Sequence, residues 1–201
     1  MKRIGVLLSA LCIALALGSV APAFAATKVQ PTVMVENNNS TSTTAGVSQT
    51  GDQQQPVEYA LPYPGMLPDN PLYFLKQVRD WIMEKIIADP VRKIEFYVLE
   101  SDKDINASVF LNAKNEKALG VKSMMLASKN MKMAVQLATM YSSQGQTIPG
   151  YVIDQLGKSL SKHEEVLTDL IGKVGAGDKA SYTSALSDVK ALEAQVAKLL
   201  Q

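Results

Sequence analysis

The stretch LPYPGMLPDNPLYFLK, from Leu61 to Lys76, marks where the folded part of this chain begins. Its prolines restrict the backbone to extended or polyproline II conformations, and apolar side chains stand between them. This pattern indicates an extended arm that packs over helices. Asn70 followed by Pro71 is then a typical cap-and-proline start of a helix.

After this start, apolar residues recur at helical spacing in five segments, with no strand-like alternation. The first four predicted helices begin at Pro71, Pro90, about Lys117 and Pro149, and Asp178 is the predicted cap of the fifth. The stripe of the first is Leu72, Leu75, Val78, Ile82 and Ile86, and that of the fourth is Val152, Leu156, Leu160, His163, Leu167, Leu170 and Val174. We therefore predict an all-α fold, a single antiparallel bundle of about five helices preceded by a proline-rich extended arm.

The N-terminal region has the composition of an export signal followed by a polar tail. Lys2 and Arg3 precede an apolar run that ends before the small-residue triplet 23–25, which is typical of a secretory signal peptide. Residues 26–58 are rich in Asn, Ser, Thr and Gln, which predicts a disordered tether. The predicted organisation is a signal peptide over residues 1–25, a tether over 26–58 and the helical bundle over 59–201, and an extracytoplasmic location follows: periplasmic, cell-surface associated or secreted.

The amino-acid composition argues against several classes of function and site. Without Lys2 and Arg3, 18 basic residues face 19 acidic ones, and the near-neutral balance argues against a nucleic-acid partner. The only cysteine, Cys12, falls inside the predicted signal peptide, so no disulfide or thiolate is expected in the exported protein. After signal cleavage no transmembrane segment is predicted, because no later apolar run approaches the length that spans a bilayer.

Two blocks of the chain resemble a known family. The first, LPDNPLYFLKQVRDWIMEKIIADPVRKIEF, combines a Pro-x-x-Pro-Leu-Tyr helix start with an Asp-Pro start of a second helix. The second, SKHEEVLTDLIGKV, runs from Ser161 to Val174. Both are similar to a bacterial family of extracytoplasmic all-helical domains of unknown function, over about Leu61 to Val174, although the second and third helices here carry more Met and fewer Glu and Arg. The resemblance implies a location and a fold, with some members tethered to a membrane, and no reaction.

His163 is the only histidine, so a Ser-His-Asp site would have to use it as the base. It lies on the apolar stripe of the fourth helix, where a histidine hydrogen-bonded inside the bundle is the commoner arrangement. No Glu-x-x-His pair accompanies it, and no metal or cofactor is predicted. Glu95, Glu100 and Asp102 could form a carboxylate pair for glycoside hydrolysis, but carboxylates along a helix are more often surface charge, which is what we expect here.

Methionines concentrate on the third helix, at Met124, Met125, Met131, Met133 and Met140. Thioethers suit Cu(I), but at about 100° per residue these positions diverge around the helix. Leu126, Met133 and Met140 form a second apolar stripe opposite the main one. We expect a central helix covered on both faces; the alternative is that this second stripe is an exposed interaction surface.

These observations predict a non-enzymatic helical module that acts by binding an envelope protein or a cell-wall polymer. Two alternatives remain open. One is an extracytoplasmic enzyme with a dispersed site, and the other is a carrier of a metal or small ligand on the methionine-rich third helix.

Overall fold

A computed structural model describes residues 57–200, which all lie within one compact unit of the chain. The predicted signal peptide and all but the last two residues of the predicted tether lie outside the described residues. Residues 57–200 form five helices and no strand, which confirms the predicted all-α class. The helices are α1 (Tyr73–Ile86), α2 (Pro90–Ala113), α3 (Lys117–Ser143), α4 (Gly150–Lys173) and α5 (Ala176–Lys198).

Local sequence sets most helix starts. Asp89 caps α2 as predicted, since its Oδ1 accepts the N–H groups of Val91 at 2.8 Å and Arg92 at 3.1 Å. Asn70 accepts the N–H of Leu72, but it closes a turn and α1 begins only at Tyr73. The predicted cap of α5, Asp178, is wrong, because it lies three residues after the observed cap. It lies in the first turn, where its charge favours the helix dipole, and Gly175 is the capping residue.

The packing order, which periodicity does not reveal, is a closed ring of four helices. α2 contacts α3 and α4, and α5 contacts the same two helices from the other side. Consecutive helices run antiparallel, whereas the neighbours α2 and α4 run parallel: Glu95 bonds Tyr151, and seven residues later Asp102 bonds Ser159. Tyr182, fully buried on α5, reaches across the ring to Ser108 and Asn112 of α2.

The core fills the space inside this ring. The predicted stripe of α4 is buried from Val152 to Leu170, and α2 contributes Ile94, Val98 and Ile105 to the core. On α3 the buried side chains are Met124, Ala127, Met131, Ala134, Val135 and Ala138. The small residues among them allow the close approach of α2.

The proline-rich arm packs on the bundle, as predicted. Pro64 is buried and Leu61 lies against the core. The carbonyl of Pro62 accepts a hydrogen bond from Asn106 of α2 at 2.8 Å, and the Tyr63 ring meets Phe110 edge-on. The arm therefore lies on the surface of the bundle and runs from α4 to the C-terminal end of α2.

Helix α1 stands apart from this core, because none of its residues is buried. Tyr73, Lys76, Asp80 and Glu84 are its partly covered residues, and they follow one face at helical spacing. Its predicted apolar stripe lies on the opposite face. The expectation that this stripe would pack inward with the other four is wrong, and the buried core belongs to α2–α5.

Candidate functional site

A buried polar cluster of the described chain centres on Asp102. Its Oδ2 accepts the Tyr59 hydroxyl at 2.6 Å, and its Oδ1 accepts Ser159 Oγ at 2.5 Å and lies 3.0 Å from His163 Nε2. Asp102, Ser159 and His163 are each at most 1% exposed. Three elements meet here, since Tyr59 comes from the arm, Asp102 from α2 and the other two from α4.

The cluster contains serine, histidine and aspartate, but its connections differ from those of a nucleophilic triad. In a triad the serine proton is directed at the histidine, whereas here Ser159 and His163 both bond the carboxylate. An ionised carboxylate only accepts hydrogen bonds, so His163 donates from Nε2. The predicted packed, hydrogen-bonded histidine is confirmed. The arrangement is suited to satisfying a buried charge and joining three elements.

The expectation that the α2 carboxylates are surface charge is wrong for two of the three. Glu100 is 5% exposed and Asp102 is 1% exposed, while Glu95 is half-buried and accepts the Tyr151 hydroxyl at 2.7 Å. Their partners also separate them. Asp102 faces α4, and Glu100 faces α1, so they do not form the opposed pair that glycoside hydrolysis uses.

Tyr59→Phe tests whether this cluster holds the arm. Burial, together with the bond to Asp102, raises the pKa of the Tyr59 hydroxyl above its usual range, so at neutral pH it remains a donor. Removing it should lower the free energy of unfolding by about 1–2 kcal/mol and speed amide exchange at residues 57–61. Exchange monitored by mass spectrometry measures both, with Tyr63→Phe as the control, because the exposed Tyr63 hydroxyl makes no comparable buried bond. Unchanged exchange of the arm would contradict its attachment through Tyr59.

A second polar cluster lies beneath α1. Lys76 is held 3.4 Å from Asp104 and 4.0 Å from Glu100, and Asn130 of α3 donates to Asp104 at 3.1 Å. Burial raises the pKa of Asp104 to about 6, although the charge of Lys76 opposes that rise. Tyr97 donates to Glu84 at 3.3 Å farther along the helix. Helix α1 is therefore attached through its polar face, and a cavity of about 180 Å³ remains between it and the bundle.

The opposite face of α1 is the most continuous apolar surface of the described residues. Leu75, Val78, Ile82 and Ile86 follow one line along the helix and are 41–69% exposed. Trp81 and Phe74, at 61% and 55% exposure, border it on one side, and Met83 borders it on the other. Scattered exposed apolar residues are ordinary, but a contiguous patch indicates a contact surface. We call these seven residues the α1 outer face.

The candidate interaction stripe of α3 is divided between two grooves. Leu126 is half-buried in the cavity beneath α1, and Met133 and Met140 line a groove of about 340 Å³ with Lys93 and Tyr97. Met140 is 52% exposed. The expectation that α3 is covered on both faces is thus wrong at Met140, although α2 and α5 do flank the helix.

A larger groove, of about 700 Å³, separates α3 from α5. Met124, Met125 and Met133 lie along its α3 side with Lys129 and Lys132, and Lys132 pairs with Asp188 at 2.8 Å. Among residues 57–200 no three His, Cys, Asp or Glu side chains come together as a metal site would require.

Comparison with protein-family models, curated proteins and solved structures finds no match to this chain. The resemblance to the extracytoplasmic helical family stays a prediction. Within the described part of the chain, no helix combines the length and apolar character needed to cross a bilayer.

Proposed function

We propose that this protein is an extracytoplasmic, non-enzymatic helical module that acts by binding a component of the cell envelope, and that the α1 outer face is its docking surface. The observation that carries the proposal is the inverted orientation of α1. An amphipathic helix at a bundle surface ordinarily buries its apolar face in its own core. Here Lys76, Asp80 and Glu84 face the bundle, and the apolar side chains face solvent.

The attachment of α1 supports this proposal. Turning Leu75, Val78, Ile82 and Ile86 outward forgoes hydrophobic stabilisation of about 25 cal/mol per Å² of apolar surface. The polar face is turned toward α2 instead, where Lys76 lies 3.4 Å from Asp104 and 4.0 Å from Glu100. A partner that covers the outer face restores this hydrophobic stabilisation. The enzyme alternative gains no such support, because Ser159, Asp102 and His163 are buried away from any substrate.

Photo-crosslinking in the producing cells tests the docking surface. A photoreactive residue in place of Ile82, at the centre of the α1 outer face, should form adducts with an envelope component. The matched control is the same residue in place of Met125, which is 61% exposed on α3. Adducts from position 125 and none from position 82 would place docking elsewhere. Adducts from neither position would contradict the proposed function.

A further inference from the structure

We infer that the partner of the α1 outer face is the surface of an anionic lipid bilayer, an inference that rests on the proposed docking role of this face. A helix that lies in a membrane interface has an apolar face, aromatic residues at its border and basic side chains along its edges. Each of these three features is present on α1.

The acidic side chains of α1 and its two exposed basic side chains lie on different sides of the helix. At about 100° per residue, Arg79 and Lys85 lie roughly 60° to either side of Ile82, whereas Asp80 and Glu84 lie roughly 160° away. Asp80 and Glu84 are partly covered by the bundle, and the Arg79 and Lys85 side chains are 59% and 61% exposed. Both cations lie between the aliphatic line and the bordering Trp81 and Met83, which are about 100° from Ile82. Arg79 contacts Asp80 and Lys85 contacts Glu84, so each cation is paired with an acid. The two basic residues of the solvent-facing half therefore flank the apolar stripe, which complements anionic headgroups.

The apolar side chains suit insertion to a shallow depth. The line from Leu75 to Ile86 is aliphatic and carries no hydrogen-bonding group, and it spans about 16 Å along the helix axis. Trp81 stands at its border, where an indole ring places its apolar body in the acyl region and its N–H among the headgroups. A hydroxyl-rich polymer would find no hydrogen-bonding partner along this line.

A second copy of the chain is the main competing occupant. In a two-fold pairing of the α1 outer face with itself, Arg79 and Lys85 would lie near the same cations of the other copy, and like charges oppose each other across an interface. An anionic bilayer meets these cations with the opposite charge, and its affinity grows with the inserted apolar area and with the local anionic charge.

The only tryptophan of the chain makes the inference directly measurable, because Trp81 borders the proposed contact. Protein isolated after export should co-sediment with vesicles that contain phosphatidylglycerol, its tryptophan emission should shift to shorter wavelength, and brominated acyl chains should quench it. Val78→Ser combined with Ile82→Ser should weaken binding about tenfold or more. Met125→Ser, a change at a more exposed apolar residue on α3, should bind as the unmodified protein does. Arg79→Gln with Lys85→Gln should remove the preference for phosphatidylglycerol over phosphatidylcholine vesicles.

The outcomes separate this inference from the proposed function. If the emission wavelength of Trp81 is the same with and without every kind of vesicle, while a photoreactive residue at position 82 crosslinks to a protein in cells, the lipid inference is wrong and the docking role stands. A concentration-dependent dimer that the Val78 and Ile82 changes abolish would also overturn it in favour of a second copy. If α1 shows no vesicle binding, no crosslinked adduct and no dimer contact, both proposals fail. Circular dichroism of each variant checks that the bundle, to which α1 contributes no buried residue, remains folded.

Discussion

Replacing Asp102 with alanine should lower the free energy of unfolding by about 3–5 kcal/mol, the range found when one partner of a buried charged network is removed. The Tyr59 hydroxyl, Ser159 Oγ and His163 Nε2 all bond this carboxylate, so the change leaves three donors without their acceptor. Each buried donor left unpaired costs about 1–3 kcal/mol. For a domain of this size the melting temperature should fall by about 10 °C or more.

Asp154→Ala is the matched control, because Asp154 is an exposed carboxylate on α4 that pairs only with Lys158. Its removal should change the free energy of unfolding by no more than about 0.5 kcal/mol. Urea denaturation of both variants gives the comparison. If Asp102→Ala is as mild as its control, water reaches the cluster readily, and the interpretation of a sealed network joining the arm, α2 and α4 is wrong.

The position of Asp102 shows how far periodicity carries a sequence-based prediction. The buried stripe of α2 passes from Val98 to Ile105, and the intermediate turn on that face is occupied by Ser101 and Asp102. The spacing therefore placed Asp102 on the core side, but its residue type favoured solvent. The deciding fact is that Tyr59, Ser159 and His163 supply its hydrogen bonds from distant parts of the chain. Those partners are a property of the packing order, which the helical pattern does not contain.

Helix α1 shows the same limit of periodicity for an apolar stripe that is exposed. Periodicity correctly grouped Leu75, Val78, Ile82 and Ile86 on one face. It could not tell what covers that face, because burial depends on the surface opposite. The surface that α2 and α3 offer carries Glu100, Asp104 and Asn130, which match Lys76 rather than an apolar stripe. In contrast, the α4 stripe was predicted correctly, since it faces helices whose inward residues are apolar.

Replacing Asp104 with asparagine should stabilise the protein at neutral pH. The carboxyl is 6% exposed, and burial raises its pKa from the ordinary 3.8 to about 6. The folded state thus binds a proton that the unfolded chain has already released between these pH values. The contribution of Asp104 to stability is full below about pH 4 and is lost as the pH rises through about 6. A shift of this size corresponds to about 3 kcal/mol at most.

Asparagine resembles the protonated carboxyl in shape and charge, so Asp104→Asn should match the unmodified protein near pH 4 and exceed its free energy of unfolding by about 1–3 kcal/mol at pH 7. Lys76 keeps Glu100 as an acidic neighbour at 4.0 Å in the variant. Denaturant titrations at the two pH values measure the difference. Asp169→Asn, on the exposed face of α4, controls for general loss of charge and should show no such dependence.

The opposite result would be equally informative about how α1 is held. If Asp104→Asn is the less stable protein at pH 7, the attraction between Lys76 and Asp104 outweighs the cost of burying the carboxylate, and the ion pair itself fastens the helix. If the predicted sign is found, α1 rests on a carboxylate whose charge is unfavourable in the folded state at neutral pH. The polar contacts of α1 with the bundle then stabilise its position only weakly. Burial of the apolar outer face against a partner contributes correspondingly more to holding α1 in place.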